Sequence, residues 1–249
     1  MTKGADVADD ADLTALLEKI SREAAFACAS YKPKYLRRRL AVRMRARGVA
    51  TYADYAALLD AEGPEFEKLL DALTINVTKL FRNWATYAAI QGTVIPSLWS
   101  RPEHLLNVWS AGSASGEEAY SLGVLFHRYL RSIGEVGRAS RIRILGTDID
   151  RDSLTVAERA TYGAAAFTET PPELRTSYFT VGLPATVAPE VRSLVRFRRH
   201  DIIRDDAPTG QHLITCRNVI IYFDRPTQEL LFERFYTALA PGGFLVLGK

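Results

Sequence analysis

The sequence predicts an all-helical N-terminal domain followed by an α/β domain on a mostly parallel sheet, with a small antiparallel β-subdomain inserted. Three observations carry this fold class. Apolar residues recur at helical spacing from residue 12 to about 90; from residue 105 short apolar runs alternate with amphipathic segments of helical period; residues 162–200 break that rhythm. Strand–helix alternation implies parallel strands joined by right-handed crossovers. The expected domains are 1–90, helical with a linker helix, and 91–249, the α/β domain with its β-subdomain at about 162–200.

The helices come first. Leu13, Leu16, Leu17, Ile20 and Ala24 follow helical spacing after a possible cap at Asp12. Pro33 suits the first turn of a second helix, Leu36, Leu40 and Met44 give it an apolar face, and Gly48 suits its end. Thr51 can cap a third helix, and Pro64 opens a fourth through Phe66, Leu69, Leu70 and Leu73. Asn76, Thr78 and Arg82 are then the polar members of an otherwise apolar stretch, which loop solvation and a helix cap would also explain.

Strands are expected at 105–109, 141–146, 212–216 and 244–248, with helices at 117–133, 153–161 and 226–239. Within the insertion, 178–181 and 193–198 read as antiparallel strands.

Composition excludes several classes. Of 249 residues, 47% are hydrophobic, enough for a sizeable core, and no apolar run reaches membrane-spanning length. The polar, acidic start is not a signal peptide. Cys28 and Cys216 lie far apart in apolar surroundings and read as buried thiols of a cytoplasmic protein; the four histidines are scattered, so no metal is expected. Net charge is only +3, but residues 32–47 hold eight Lys or Arg and no acid. Such a helix can face nucleic acid, an acidic protein surface or plain solvent. Few aromatics or glycines interleave its cations, which counts against a single-strand binder.

Parallel sheets bind ligands outside the carboxyl ends of their strands. Three such ends are polar here: 110–116, 147–150 and 217–218. The first, S-A-G-S-A-S-G, lets the backbone turn tightly and opens a helix, but Gly112 and Gly116 do not make G-x-G-x-x-G. Asp148 stands where an acid accepts from ribose hydroxyls, although well beyond the roughly 20 residues of the dinucleotide pattern. Glu117 and Glu118 put acid where a dinucleotide site would favour cations. Compensation of the helix dipole explains them; so does a ligand with positive charge and no phosphate, which S-adenosylmethionine fits better than NAD.

Four motifs in order, N-V-T-K-L-F-R (76–82), W-S-A-G-S-A-S-G-E-E-A-Y-S (109–121), G-T-D-I-D (146–150) and C-R-N-V-I-I-Y-F-D (216–224), resemble the chemotaxis receptor methyltransferases, the CheR family. The ending P-G-G-F-L-V-L-G (241–248) matches as well, and the resemblance covers nearly the whole chain. It implies a class I (Rossmann-like) S-adenosylmethionine-dependent methyltransferase domain behind the helical one. The implied activity is methylation of glutamate side chains on chemoreceptors, giving methyl esters and S-adenosyl-L-homocysteine. Carried over residue by residue, the resemblance assigns cofactor contacts to Asn76, Thr78, Arg82, Gly112, Glu118, Asp148, Asp201, Ile202, Arg217 and Asn218, and substrate orientation to Arg82 and Tyr222. At 201–202 the family usually has Asn-Leu; an aspartate still accepts from an adenine amino group but cannot donate.

The resemblance also implies that the basic helix meets the helical methylation region in the receptor's cytoplasmic part, through Arg37, Arg39 and Arg43. It implies no nucleic acid, no membrane insertion and a monomer. Some family members bind a receptor-tail pentapeptide at a glycine-rich turn. Here that turn, residues 182–190, carries Pro184 and Pro189, so pentapeptide independence is expected. The family normally continues past the last strand with a hairpin, which is expected to be missing from this chain. The alternative is a regulatory protein that binds S-adenosylmethionine without transferring its methyl group. A nucleobase methyltransferase often has [D/N/S]-P-P-[Y/F] after the fourth strand; Arg217-Asn218-Val219-Ile220 stands there instead.

Overall fold

The structure, a computed structural model, describes residues 3–24, 26–74, 78–102 and 104–248. By contacts the chain divides into two units, Met1–Ile75 with Ile221–Leu230, and Asn76–Ile220 with Leu231–Lys249. Residue 90, the boundary expected from the sequence, joins two helical segments of the second unit.

The first unit is helical: α1 (Lys3–Glu23), α2 (Pro33–Arg47), α3 (Tyr52–Ala61) and α4 (Gly63–Leu73). Helix α1 starts well before Asp12. Alanines and aspartates near an N-terminus favour a helix there, and Gly4 alone does not stop it. Helix α2 opens on Pro33 and ends at Gly48, whose φ of 68° lets its N–H donate to Arg45 and Met44 carbonyls. The Thr51 hydroxyl accepts from Asp54 N–H and starts α3. Leu13, Leu16, Ile20, Leu36, Leu40, Tyr55, Leu69 and Leu73 meet in one core.

Within that core edge a buried carboxylate ties three helices together. Glu65 is 1% exposed; Arg43 donates to its Oε1 from Nε at 3.0 Å and to its Oε2 from Nη2 at 2.6 Å, and Tyr55 OH donates to Oε1 at 2.9 Å. Burial pushes the Glu65 pKa up, but the Arg43 and Tyr55 hydrogen bonds outweigh it and the net shift is downward.

The second unit begins with α5 (Trp84–Ala89), a π-helical stretch (Ile90–Val94) and α6 (Ile95–Trp99). The alternation then follows: β1 (Leu106–Ala111), α7 (Glu117–Ser132), β2 (Ile142–Asp148), α8 (Arg151–Arg159), β3 (Thr161–Tyr162), α9 (Pro172–Tyr178), β4 (Ala185–Thr186), α10 (Pro189–Arg192), β5 (Val195–Arg199) and β6 (Gln211–Cys216). Helix α11 (Arg225–Ala238) and β7 (Leu239–Leu247) complete it. The main sheet has the order β5-β2-β1-β6-β7, with every pair parallel. Leu106, Val108, Leu122, Leu125, Phe126, Ile144 and Val195 fill the space between α7 and the sheet. Trp109 and Phe235 of α11 meet edge-to-face at 5.5 Å.

The insertion differs from expectation in two places. Residues 193–198 were expected to pair antiparallel; β5 instead runs parallel to β2 at the edge of the main sheet. Its alternation is that of a half-buried strand: Val195 and Phe197 face α7 and its neighbours, whereas Arg196 and Arg198 are exposed. Tyr178 ends α9, so 178–181 is no strand beyond a single antiparallel bridge, Phe179 to Val187. The antiparallel element that exists is β3 paired with β4.

Candidate functional site

β1, β2 and β6 are parallel neighbours, so the segments after them open at the same edge of the sheet. The turn after β1 is drawn onto the end of β2: the N–H groups of Gly112 and Ser113 both donate to the Thr147 carbonyl at 2.8 Å. Gly112 has φ +74°, and a Cβ there would stand 2.5 Å from Val219 Cγ2. No side chain fits.

Asp148 ends β2. Its Oδ2 accepts from Ala114 N–H at 2.8 Å and its Oδ1 from Asp150 N–H at 3.0 Å. Each oxygen has a second lone pair, which leaves acceptors for ligand hydroxyls. Burial pushes the pKa of Asp148 up against the pull of these donors. Ser113, in the same turn, has a buried Oγ with no hydrogen-bond partner.

Glu118 sits in the first turn of α7. Its Oε1 accepts from Ser110 Oγ at 2.8 Å and from Thr215 Oγ1 at 2.6 Å, which join it to the ends of β1 and β6; its Oε2 lies 3.7 Å from Arg217. Burial raises its pKa, opposed by the Thr215 hydrogen bond and by the charges of Arg217 and Arg82. Glu117 is buried too and accepts from Ser115 Oγ at 2.7 Å. The pair therefore lies below the surface, held by serine and threonine, and forms no open acidic lip.

Arg217 is packed among these groups. Its Nη2 donates to the Arg82 carbonyl at 2.8 Å, and its guanidinium lies over the Tyr87 ring at 5.0 Å. It positions its neighbours. Asn218 follows at φ +60°, a left-handed conformation uncommon outside glycine. Arg82 is half-buried between Phe81 (φ +56°) and Asn83 (φ +61°), and Phe81 N–H donates to Ser121 Oγ at 2.9 Å.

Asp201 and Ile202 are both buried, and the residue before them, His200, donates its N–H to the Asp148 carbonyl at 2.9 Å. The Asp201 side chain caps its own turn: Oδ1 accepts from Ile203 N–H at 2.9 Å and Arg204 N–H at 3.3 Å. Thr78 is half-buried in coil; Asn76 lies outside the described residues. Ser110, Thr215 and Ser113 were missed from the sequence. Ser110 read there as part of the polar end after the first strand and Thr215 as an ordinary strand residue, and only the fold brings Glu118 to them.

The remaining expected residues belong to the helical unit. Tyr222 packs its ring 4.8 Å from Tyr35, and its carbonyl accepts from Lys32 N–H at 2.9 Å. Arg37 pairs with Asp10, Arg39 lies over the Tyr35 ring at 5.7 Å, and Arg43 is spent on Glu65. Lys34, Arg38, Arg45 and Arg47 are the exposed cations of α2, and Arg47 pairs with Glu62. Among the described residues no group of three or more His, Cys, Asp or Glu could hold a metal, and no helix is long and apolar enough to cross a membrane.

A parallel sheet with a glycine turn, a buried acid at the end of its second strand and a buried anion in its first crossover helix is the framework of an S-adenosylmethionine-dependent methyltransferase. The residues fit that cofactor: Asp148 keeps acceptors for hydroxyls, Glu118 offers negative charge to a cation, and Ser113 Oγ awaits a partner. Residues 76–249 match the family described as CheR methyltransferase, SAM binding domain, and residues 11–74 match CheR methyltransferase, all-alpha domain. The chain belongs to the CheR methyltransferase family. An uncharacterized 104.1 kDa protein in the hypE 3' region of Rhodobacter capsulatus is 33% identical over 88% of this chain, which spans 23% of that protein. A chemotaxis protein methyltransferase of Listeria monocytogenes is 30% identical over 92% of this chain and 85% of its own length. Chemotaxis protein methyltransferase 2 of Pseudomonas aeruginosa is 31% identical over 95% of this chain and 85% of its own length. Nothing among these relatives supports a cofactor-binding regulator without transferase activity.

Proposed function

We propose that this chain is a protein-glutamate O-methyltransferase that acts, in the cytoplasm, on the helical methylation region of chemoreceptors. The observation that carries the reading is a half-buried cation, Arg82, on a strained turn whose carbonyl accepts from Arg217, the same side chain that stands 3.7 Å from Glu118. A site that binds a sulfonium needs an anion, and a carboxylate substrate needs a cation beside it. Glu118 and Arg82 are that pair.

Glutamate has a reference pKa near 4.3 and is ionised at neutral pH, so no general base is required. Bound S-adenosylmethionine supplies an electrophilic methyl group. The chain's own part is to hold and orient. Asp148 accepts from ribose hydroxyls, Glu118 balances the cationic end, and Asp201 and Ile202 flank the adenine. Arg82 holds one carboxylate oxygen of the substrate so that the other faces the methyl carbon. The cofactor would give up the methyl group and keep the S–C electron pair as a neutral thioether, so the chain need supply no proton. Desolvation at the closed strand ends strengthens each of these contacts. Tyr222, assigned to orient substrate by the resemblance, also has a packing role on Tyr35. Tyr222→Phe keeps the ring and removes the hydroxyl.

The test is base-labile label on receptor-bearing membranes from the producing cells, incubated with methyl-labelled cofactor. Arg82→Ala should lower the rate of labelling about a hundredfold while leaving S-adenosylhomocysteine affinity within severalfold. Label that resists base, or full labelling by Arg82→Ala, would sink the reading.

A further inference from the structure

We propose that Glu169 is a positioning residue for Arg82: its carboxylate clamps the backbone turn that presents the guanidinium to substrate. This rests on the reading of Arg82 as the group that orients the substrate carboxylate. Residues 80–83 follow a backbone course that side chains resist, with positive φ at Phe81 and Asn83 on either side of Arg82. Such a conformation persists only where its surroundings over-determine it.

The surroundings are hydrogen bonds from four directions. Leu80 N–H donates to the Ala166 carbonyl at 2.9 Å, and Phe81 N–H to Ser121 Oγ at 2.9 Å. The Arg82 carbonyl accepts from Arg217 at 2.8 Å, and Asn83 N–H donates to Glu169 Oε2 at 2.7 Å. Two of the four are charge-assisted, the Arg217 bond to the Arg82 carbonyl and the Glu169 bond from Asn83 N–H, and such bonds are about twice as strong as neutral ones. Its other oxygen, Oε1, lies 3.6 Å from Lys79 Nζ. Glu169 therefore closes the turn at both ends, before Leu80 and after Arg82. The Lys79 pair is more than a third exposed on both sides and contributes little. The Asn83 bond is the working contact. Ala166 and Glu169 both belong to the insertion, which makes holding this turn one of the insertion's tasks.

The consequence is specific. Without its acceptor, Asn83 can relax to negative φ, and Arg82 moves with it. Cofactor contacts at Asp148 and Glu118 stay in place.

The experiment measures receptor labelling kinetics on the full chain with membranes from the producing cells, and S-adenosylhomocysteine binding by calorimetry. Glu169→Ala should lower kcat/KM for receptor by about 10- to 100-fold with product affinity within about twofold and the melting temperature unchanged. Glu169→Gln retains an oxygen that accepts from Asn83 N–H and should restore most of the rate. In an Arg82→Ala background, Glu169→Ala should have no further effect, because the two act through one guanidinium. A normal rate for Glu169→Ala, an additive loss in the double variant, or equal loss of product binding would overturn the proposal. A normal rate for Arg82→Ala would remove the Arg82 reading and Glu169 with it, whereas a defective Arg82→Ala beside a normal Glu169→Ala removes Glu169 alone.

Discussion

Glu118 shows how one side chain can serve structure and chemistry together. Ser110 and Thr215 fix its Oε1, so the charge that faces a ligand sits on Oε2 beside Arg217. Its pKa is raised by burial, so its protonation falls closer to the working range than an exposed glutamate's would. Substrate and product differ at sulfur: the sulfonium is charged and the thioether is not. Ionised Glu118 should therefore favour S-adenosylmethionine, and protonation should cancel that preference. As the pH falls from neutrality toward the reference glutamate value of about 4.3, affinity for S-adenosylmethionine should fall relative to that for S-adenosylhomocysteine. Glu118→Gln should flatten the ratio at its low-pH value. Calorimetric titrations with both ligands decide it, and a pH-independent ratio in the unaltered chain would place the sulfonium elsewhere. Asp201 is a different case at the same scale. Its caps on Ile203 and Arg204 N–H groups occupy the oxygen nearest its own turn, a role that the sequence pair Asp201-Ile202 did not disclose.

At the scale of the element, α2 is both a scaffold and a charged surface, and its arginines divide between the two. Arg43 points inward to a carboxylate that is 1% exposed, and removing one partner of such a pair strands a buried charge. Arg38 and Arg45 are exposed, and the seven-residue step between them, two helical turns, keeps those two on one face. Receptor docking along α2 should therefore depend on Arg38 and Arg45. Arg43→Met should destabilise the helical unit by about 3 kcal/mol, whereas Arg38→Glu with Arg45→Glu should leave the melting temperature unchanged and raise the KM for receptor membranes. Wild-type KM for that double variant would show that α2 docks nothing. The eight cations of residues 32–47 were legible as a charge run. Their division was not, because the acid that selects Arg43 lies on α4 and is found only by folding.

At the scale of the molecule, the order of elements and the three polar strand ends were readable because they follow from local periodicity and turn chemistry. The strand direction of β5 was not, since an edge strand with one bare face alternates as an antiparallel strand does. The partners of Glu118 were hidden for a related reason: they come from strands that are distant in sequence. Both units bury carboxylates, but with opposite electrostatic sense. Glu65 in the helical unit has its pKa depressed below the reference 4.5, so its contribution is full above that value and is lost as pH falls through the folded value. Glu117, Glu118 and Asp148 in the sheet unit have theirs raised by burial, so ionisation opposes folding above the folded values and protonation relieves it as pH falls. Lowering the pH from neutrality to about 4, near the reference carboxylate values, should weaken the helical unit relative to the sheet unit. Hydrogen exchange, corrected for intrinsic rates, reads this directly. Amides of α2 and α4 should lose protection relative to those of β1, β2 and β6, and Glu65→Gln should shrink the difference. Protection lost in parallel by both units would mean that the buried carboxylates do not set the acid response.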